Sequence, residues 1–264
     1  MAYRHLGVAS DDRGVVSMTL NRPERHNAFN EEVIAELTQA LQLVADDDQA
    51  RLLVVRGAGP SFSAGADLDW MRRMAGYGEA ENRADANALA AMLERLDSLP
   101  VPVIARVQGA AIGGGAGLVC CCDMAVASSE AVFAFSEVRL GLIPATISPY
   151  VLNAIGARAA RRYFLTGERF DAATAQQLGM ISAVVDAGAL DAAMEQLIGA
   201  ILVNGPAAVR AAKQLIRDVA GQPVDAALQA LTSDRIATMR CSPEGREGIS
   251  AFLGKRKPDW NGDV

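Results

Sequence analysis

The chain has 264 residues, 51% of them hydrophobic and 21% charged, and a formal net charge of −6 at pH 7. That is enough apolar material for one large domain, or a domain with an appendage, to bury a sizeable core. The acidic balance argues against a nucleic-acid partner, which needs a basic face, and no run approaches the roughly 18 apolar residues of a membrane span.

The start, Met1-Ala2-Tyr3-Arg4-His5, lacks the apolar core of a signal peptide, so the cytoplasm is the expected compartment. Val15–Leu20 reads as a strand ended by Asn21-Arg22-Pro23. Residues 29–46 have helical spacing, with Val33, Ile34, Leu37 and Leu41 on one face and Asn30 as N-cap. A short buried strand at 52–56 stops at Gly57-Ala58-Gly59-Pro60. A helix is predicted at 82–96 and a strand at 101–107, with Pro102 near its start. About two helical turns follow Gly115, then extended segments at 123–127 and 131–135. From about Ala157 the chain reads as mainly helical and alanine-rich, apart from 181–185. The alternation of strand and helix through the first half predicts α/β architecture.

Cys120, Cys121 and Cys122 are consecutive in an apolar run, which suits packing better than a disulfide framework. A zinc site would want other spacing and more histidines than His5 and His26, so no metal is expected.

Two small-residue turns stand out. Gln108-Gly109-Ala110-Ala111-Ile112-Gly113-Gly114-Gly115-Ala116-Gly117 and Phe62-Ser63-Ala64-Gly65-Ala66-Asp67-Leu68 each follow an apolar run. Each can place bare backbone N–H groups at a pocket, the first at a helix start where such groups have no intrahelical partner. Two N–H groups aimed at one point make an oxyanion hole, which predicts an enolate-like intermediate of an activated acyl group. The run is no P-loop, since no Gly-Lys-Ser/Thr follows, and it fits a dinucleotide fingerprint poorly. Glu137, flanked by Phe133, Phe135, Val138 and Leu140, is a carboxylate whose desolvation would suit it to general acid/base work. A solvated carboxylate, or a partner for Arg139, is the alternative. Asp67 reads as a cap or loop ligand and Asp123 as a structural pairing group.

Taken in order, Asn21-Arg22-Pro23, Asn27-Ala28-Phe29, Phe62 to Leu68, Gly109 to Gly115, Cys122-Asp123, Ser136-Glu137 and Gly141-Leu142-Ile143-Pro144 resemble the enoyl-CoA hydratase/isomerase (crotonase) family, as does the tail from Gly248 to Pro258. The resemblance covers nearly the whole chain. It implies a spiral of ββα units over 1–195 and a helical region over 196–264 that builds trimers or hexamers. It implies acyl-CoA thioesters as ligands, with CoA entering as part of the substrate and no separate cofactor. By position, the N–H groups of Ala66 and Gly114 would hold the thioester oxygen. Ala64, Gly65, Asp67 and Leu68 would meet the adenine end of CoA, and Arg25 its phosphates, the family's common lysine falling at Glu24. Phe252 and Lys255 match residues that reach CoA from a neighbouring subunit.

Two departures matter. The second family glutamate matches Glu137, but the first falls at Gly117, and the glycine-rich stretch after the Ile-Pro pair becomes Pro144-Ala145-Thr146-Ile147-Ser148-Pro149. These departures look similar to bacterial hydratases of methylglutaconyl-CoA, in leucine breakdown, and of isohexenylglutaconyl-CoA. Their substrates carry a second carboxylate, for which Arg72, Arg73 and Arg139 are candidate receivers. The implied activity is hydration of an enoyl-CoA. The alternatives are double-bond isomerisation with Glu137 as the single base, or a non-catalytic acyl-CoA- or RNA-binding role.

Overall fold

The computed structural model describes residues 3–261. Met1 and Ala2, at the start of the segment read as leaderless, lie outside it, as do the last three residues of the expected helical region. The chain opens with strands β1 (Leu6–Ser10) and β2 (Val15–Leu20), then α1 (Glu31–Ala45), β3 (Leu52–Gly57), α2 (Leu68–Met74) and α3 (Glu79–Asp97). The middle runs β4 (Val103–Val107), β5 (Ala110–Ile112), α4 (Gly114–Cys120), β6 (Met124–Ser128) and β7 (Val132–Ala134). Then come α5 (Ser148–Thr166), β8 (Arg169–Asp171), α6 (Ala172–Gln177), β9 (Ala183–Val185) and helices α7 (Leu190–Leu202), α8 (Pro206–Val219), α9 (Ala226–Cys241) and α10 (Pro243–Leu253).

A six-stranded sheet has the order β1-β2-β3-β4-β6-β9, and a three-stranded one β5-β7-β8. From β2 to β9 the large sheet is parallel. Its central strands β3 and β4 are accordingly buried runs rich in Val, Leu and Ile, as burial on both faces demands. From β4 to β7 the chain alternates between the two sheets, with α4 closing one ββα turn and α5 following the next. This is the α/β spiral that the resemblance implies.

The register of elements differs from the sequence reading at informative places. Helix α1 starts at Glu31, with the Asn30 side chain accepting the Val33 N–H at 2.9 Å. Phe29 is not helical; it forms an isolated parallel bridge with Ala66. Helix α3 begins earlier than 82 because Glu81 reaches back to the Gly78 N–H at 2.8 Å and closes its first turn. Strand β4 begins at Val103, not 101: Pro102 has no N–H to give a ladder, and the Val103 N–H goes to Asp123 Oδ2 at 2.7 Å. Helix α5 begins well before 157, with Pro149 in its first turn and Gly156 (φ 72°) interrupting it. β1, α2, β5 and β8 have no counterpart in the sequence reading.

Two compact units partition the chain. One comprises the residues up to Leu99 together with Val103–Met194; the other comprises Pro100–Pro102 and the chain from Glu195 onward. Within the second unit, Glu244 of α10 accepts the N–H groups of Ala207 (2.9 Å) and Ala208 (2.7 Å), capping α8. Trp260 Nε1 donates to the Val203 carbonyl at 3.2 Å. Among the described residues, no single helix is long and apolar enough to cross a membrane, and no His/Cys/Asp/Glu group is placed to hold a metal ion.

All four cysteines are free thiols. Burial pushes the Cys120 thiol up to about 12, and it raises Cys121 well above the ordinary thiol value, with the neighbouring thiols and Asp97 adding to it. A thiol kept protonated is a poor nucleophile. Cys120 and Cys121 are therefore expected to resist a disulfide reagent in the native protein and to react only on unfolding. Stopped-flow thiol titration with and without guanidinium checks this.

Candidate active site

The site starts from the turn after β2. Pro23 opens a single 3-10 turn, Pro23–Arg25, and His26 and Asn27 follow in left-handed conformation (φ 50° and 54°). This bend aims the Asn27 side chain into the loop after β3. Its Nδ2 donates to the carbonyls of Ala58 and Ser61, both at 2.8 Å, while its Oδ1 accepts the Arg22 N–H. From the opposite side Gln108 Nε2 donates to the Gly57 and Gly59 carbonyls. A loop that would otherwise be mobile is thus fixed at both flanks.

The next stretch carries the first candidate amide. Ser63 bridges Ala111, with Ser63 N–H donating to the Ala110 carbonyl (3.0 Å) and Ile112 N–H to the Ser63 carbonyl (2.9 Å). Phe29 N–H donates to the Gly65 carbonyl, and Asp67 N–H to the Phe29 carbonyl, each at 2.7 Å. In such a parallel bridge the groups flanking Ala66 are used and its own N–H faces away. The Ala66 N–H has no acceptor among the described residues.

Gly113 carries the second. It turns the chain from β5 into α4 at φ 53°, a conformation that a side chain would strain. The following Gly114 N–H, at the helix start, likewise has no acceptor among the described residues. The Phe29 ring lies 3.1 Å from the point that a Cβ on Gly114 would occupy. Phe29 therefore touches both segments: its backbone bonds to the residues on either side of Ala66, and its ring packs against Gly114.

Glu137 faces the same turn. It opens a short 3-10 helix, Glu137–Leu140, and its Oε1 sits 3.1 Å from where a Cβ on Gly113 would be. Its Oε2 is buried without a hydrogen-bond partner. Desolvation pushes its pKa above the ordinary carboxylate value, opposed only by a bond to its own backbone. No ion pair joins it to Arg139, so that alternative from the sequence falls away. A half-buried carboxylate with one buried, orphaned oxygen, beside the turn that leads to the unpaired Gly114 amide, has the make-up to exchange a proton next to a group able to stabilise an anion.

Gly117, on α4, is where the resemblance puts the family's other glutamate. A Cβ there would lie 2.2 Å from Ile147 Cγ2 and 2.7 Å from Ile147 Cβ. Ile147 is 2% exposed. The second acid is not merely missing; an apolar side chain fills its place. Gly117→Ala is expected to cost about 1–3 kcal/mol by overpacking. In an Ile147→Ala background the same change should cost less, because Cγ2 is gone while Cβ remains. A double-mutant cycle by urea unfolding checks the difference.

Asp67 is the cap that the residues themselves suggested: it is 4% exposed, caps α2 by accepting the N–H groups of Asp69 (2.8 Å) and Trp70 (3.2 Å), and pairs with Arg22 at 2.9 Å. Arg22 also donates to the Ala28 carbonyl at 2.7 Å, so this ion pair ties both strands of the Phe29–Ala66 bridge together. Burial raises the Asp67 pKa, but the Trp70 amide, Arg22 and the Asp69 amide outweigh it and leave the carboxyl below its ordinary value.

Of the other predicted contacts, Ala64 and Leu68 are exposed beside Ala66, and Gly65 is buried against the Ile112 carbonyl. Arg25 pairs with Asp69 at 3.3 Å on the surface. Phe252 and Lys255 belong to the second unit; Phe252 is 83% exposed and Lys255 adopts φ 50°. Sequence reasoning gave no role to Arg22, Asn27, Gln108 or Ile147. Arg22 and Asn27 did stand in the quoted motifs, but as polar residues in a turn they carry no mark of their bonding partners in the sequence.

The fold and site together define an α/β-spiral protein with two unpaired backbone amides and one half-buried acid. Comparisons with known proteins agree. A family profile described as enoyl-CoA hydratase/isomerase matches residues 10–263. The 2,3-dehydroadipyl-CoA hydratase of Escherichia coli is 35% identical over 260 residues, 97% of this chain and 98% of that one. The 1,2-epoxyphenylacetyl-CoA isomerase of the same organism is 36% identical over 254 residues, 95% and 96% of the two chains. The crystal structure of an enoyl-CoA hydratase from Shewanella pealeana superposes with TM-score 0.94 at 46% identity, covering 98% of this chain and 96% of that one. This chain belongs to the enoyl-CoA hydratase/isomerase family.

Proposed function

We propose that the protein adds water across the double bond of an α,β-unsaturated acyl-CoA thioester, with CoA bound as part of the substrate. The carrying observation is the half-buried, pKa-raised Glu137 beside the unpaired Ala66 and Gly114 amides. In this reading the two N–H groups hold the thioester oxygen as it takes enolate charge, each worth about 3 kcal/mol in comparable sites. Glu137 takes a proton from water as the water oxygen bonds to the β carbon, and returns that proton to the α carbon. One carboxylate suffices because water supplies both the hydroxyl and the proton.

The finer proposal is a branched dicarboxylic ester such as 3-methylglutaconyl-CoA. Turnover of crotonyl-CoA and 3-methylglutaconyl-CoA in oxygen-18 water, read by mass spectrometry, tests both levels. Labelled product from the dicarboxylic ester alone supports the narrow reading, and from both a general hydratase. No label in either product sinks hydration.

A second reading, double-bond isomerisation, is favoured by Ile147 filling the space beside Gly117. A drier site with one base suits removal and return of a proton without added water. A shifted double bond with no oxygen-18 would select it.

We further infer assembly into trimers or hexamers. The apolar side chains Val224, Phe252 and Leu253, exposed in the second unit, support it. Phe252 and Lys255 would then serve a neighbour's CoA. Light scattering on the eluting protein measures the mass.

A further inference from the structure

The two arginines from α2 that could receive a second substrate carboxylate are already engaged. Arg72 pairs with Asp69, and Arg73 reaches both oxygens of Glu31 at 2.6 and 2.8 Å. Arg139 differs: among the described residues its side chain makes no hydrogen bond or ion pair. Its side chain lies 3.3 Å from where a Cβ on Gly167 would be, and both residues line a cavity of about 230 Å³.

Other lining residues come from the small sheet. Ile112, Ala134 and Arg169 are paired in register across β5, β7 and β8. Directly opposed residues project to the same face, and all three line the cavity with Ser136. The Arg169 side chain also has no hydrogen-bond or ion partner among the described residues. No aspartate or glutamate lines the cavity. Two permanently charged guanidiniums, both open to solvent, therefore border one small space that no carboxylate lines. A two-oxygen anion would relieve that repulsion and accept charge-assisted hydrogen bonds from both forks.

The cavity adjoins the reaction centre along the chain on two sides. Ile112 immediately precedes Gly113, and Ser136 and Arg139 flank Glu137. With consecutive Cα atoms about 3.8 Å apart, it is within range of an acyl chain a few carbons long. Its size suits a carboxylate and not a bulky headgroup.

We propose that this cavity receives the distal carboxylate of a dicarboxylic acyl-CoA, with Arg139 and Arg169 setting acyl specificity. The inference rests on the acyl-CoA reading of the site. Glutaryl-CoA and valeryl-CoA, saturated thioesters of equal length with charged and neutral ends, test it without any turnover. Calorimetric titration of the whole protein should give glutaryl-CoA a Kd about 10- to 100-fold lower, the worth of one or two charge-assisted bonds. Arg169→Gln and Arg139→Gln should each collapse that ratio toward one, and Arg139→Lys should keep part of it. Thermal melts of the same samples establish that the variants are folded.

Equal affinity of the wild type for both esters overturns the proposal and leaves the acyl-CoA reading standing. So does a preference that neither glutamine variant moves. Binding of free glutarate that depends on Arg169, without any glutaryl-CoA preference, assigns the cavity to a solution anion and also overturns it. If neither ester binds, the acyl-CoA reading fails first and takes this inference with it.

Discussion

Glu137→Gln is expected to lower turnover about 10³-fold, within the range for loss of a positioned acid/base, while acyl-CoA binding changes little. The amide keeps the shape of the side chain and its contact with Gly113 but cannot carry a proton. The Ala66 and Gly114 amides are untouched, so the ground-state complex should form. Single-turnover kinetics against equilibrium binding separates the two effects; near-normal turnover would remove Glu137 from the chemistry. Because burial lifts its pKa, the acid limb of the wild-type rate profile should sit above the ordinary carboxylate range.

The same shift has a stability sign. Between the unfolded and folded pKa values the native state holds the extra proton, so stability falls as pH rises through that window. The glutamine variant should therefore melt higher than wild type at neutral pH. The gap should close below the unfolded-state pKa. Calorimetry across pH checks the direction.

The second large effect is expected at Asp67. Asp67→Ala leaves Arg22, whose side chain is 12% exposed, without its carboxylate and strips the cap from α2. Breaking a buried pair by removing one partner costs about 3–5 kcal/mol. Asp67→Asn keeps an acceptor for the α2 amides and should lose less. Since the folded pKa of Asp67 is depressed, its contribution is fully present above the unfolded value and disappears as pH falls through the folded one. Urea unfolding at neutral and acid pH should show the two variants converging with wild type in acid. A wild-type midpoint for Asp67→Ala would deny the ion pair any structural weight. A fall in kcat should accompany it, because the Arg22–Asp67 pair holds together the two segments of the bridge that carries Ala66.

What the sequence announced was local. Asn30 caps α1 because an Asn directly precedes an apolar stripe of helical spacing, and Gly113 turns where only glycine is comfortable. Strand β1 left no mark because only Leu6 of its residues is buried. Helix α2 begins on the exposed Leu68, and β8 is a three-residue strand with its two end residues exposed. At the site, Glu137 stood out as a carboxylate in apolar surroundings. Arg22 did not, since nothing in its neighbours says whether an arginine is buried. Ile147 could not, since its meaning comes from Gly117, distant in the chain and touching in space.

The interlock of Gly117 with Ile147 also bears on how such sites change over generations. A lineage that gained a carboxylate at 117 first would pass through a destabilised protein, and one that first trimmed Ile147 would pass through a protein with an empty hole. Neither single step is expected to be neutral, so the arrangement behaves as a ratchet: for a second acid to arise at 117, both positions must move together.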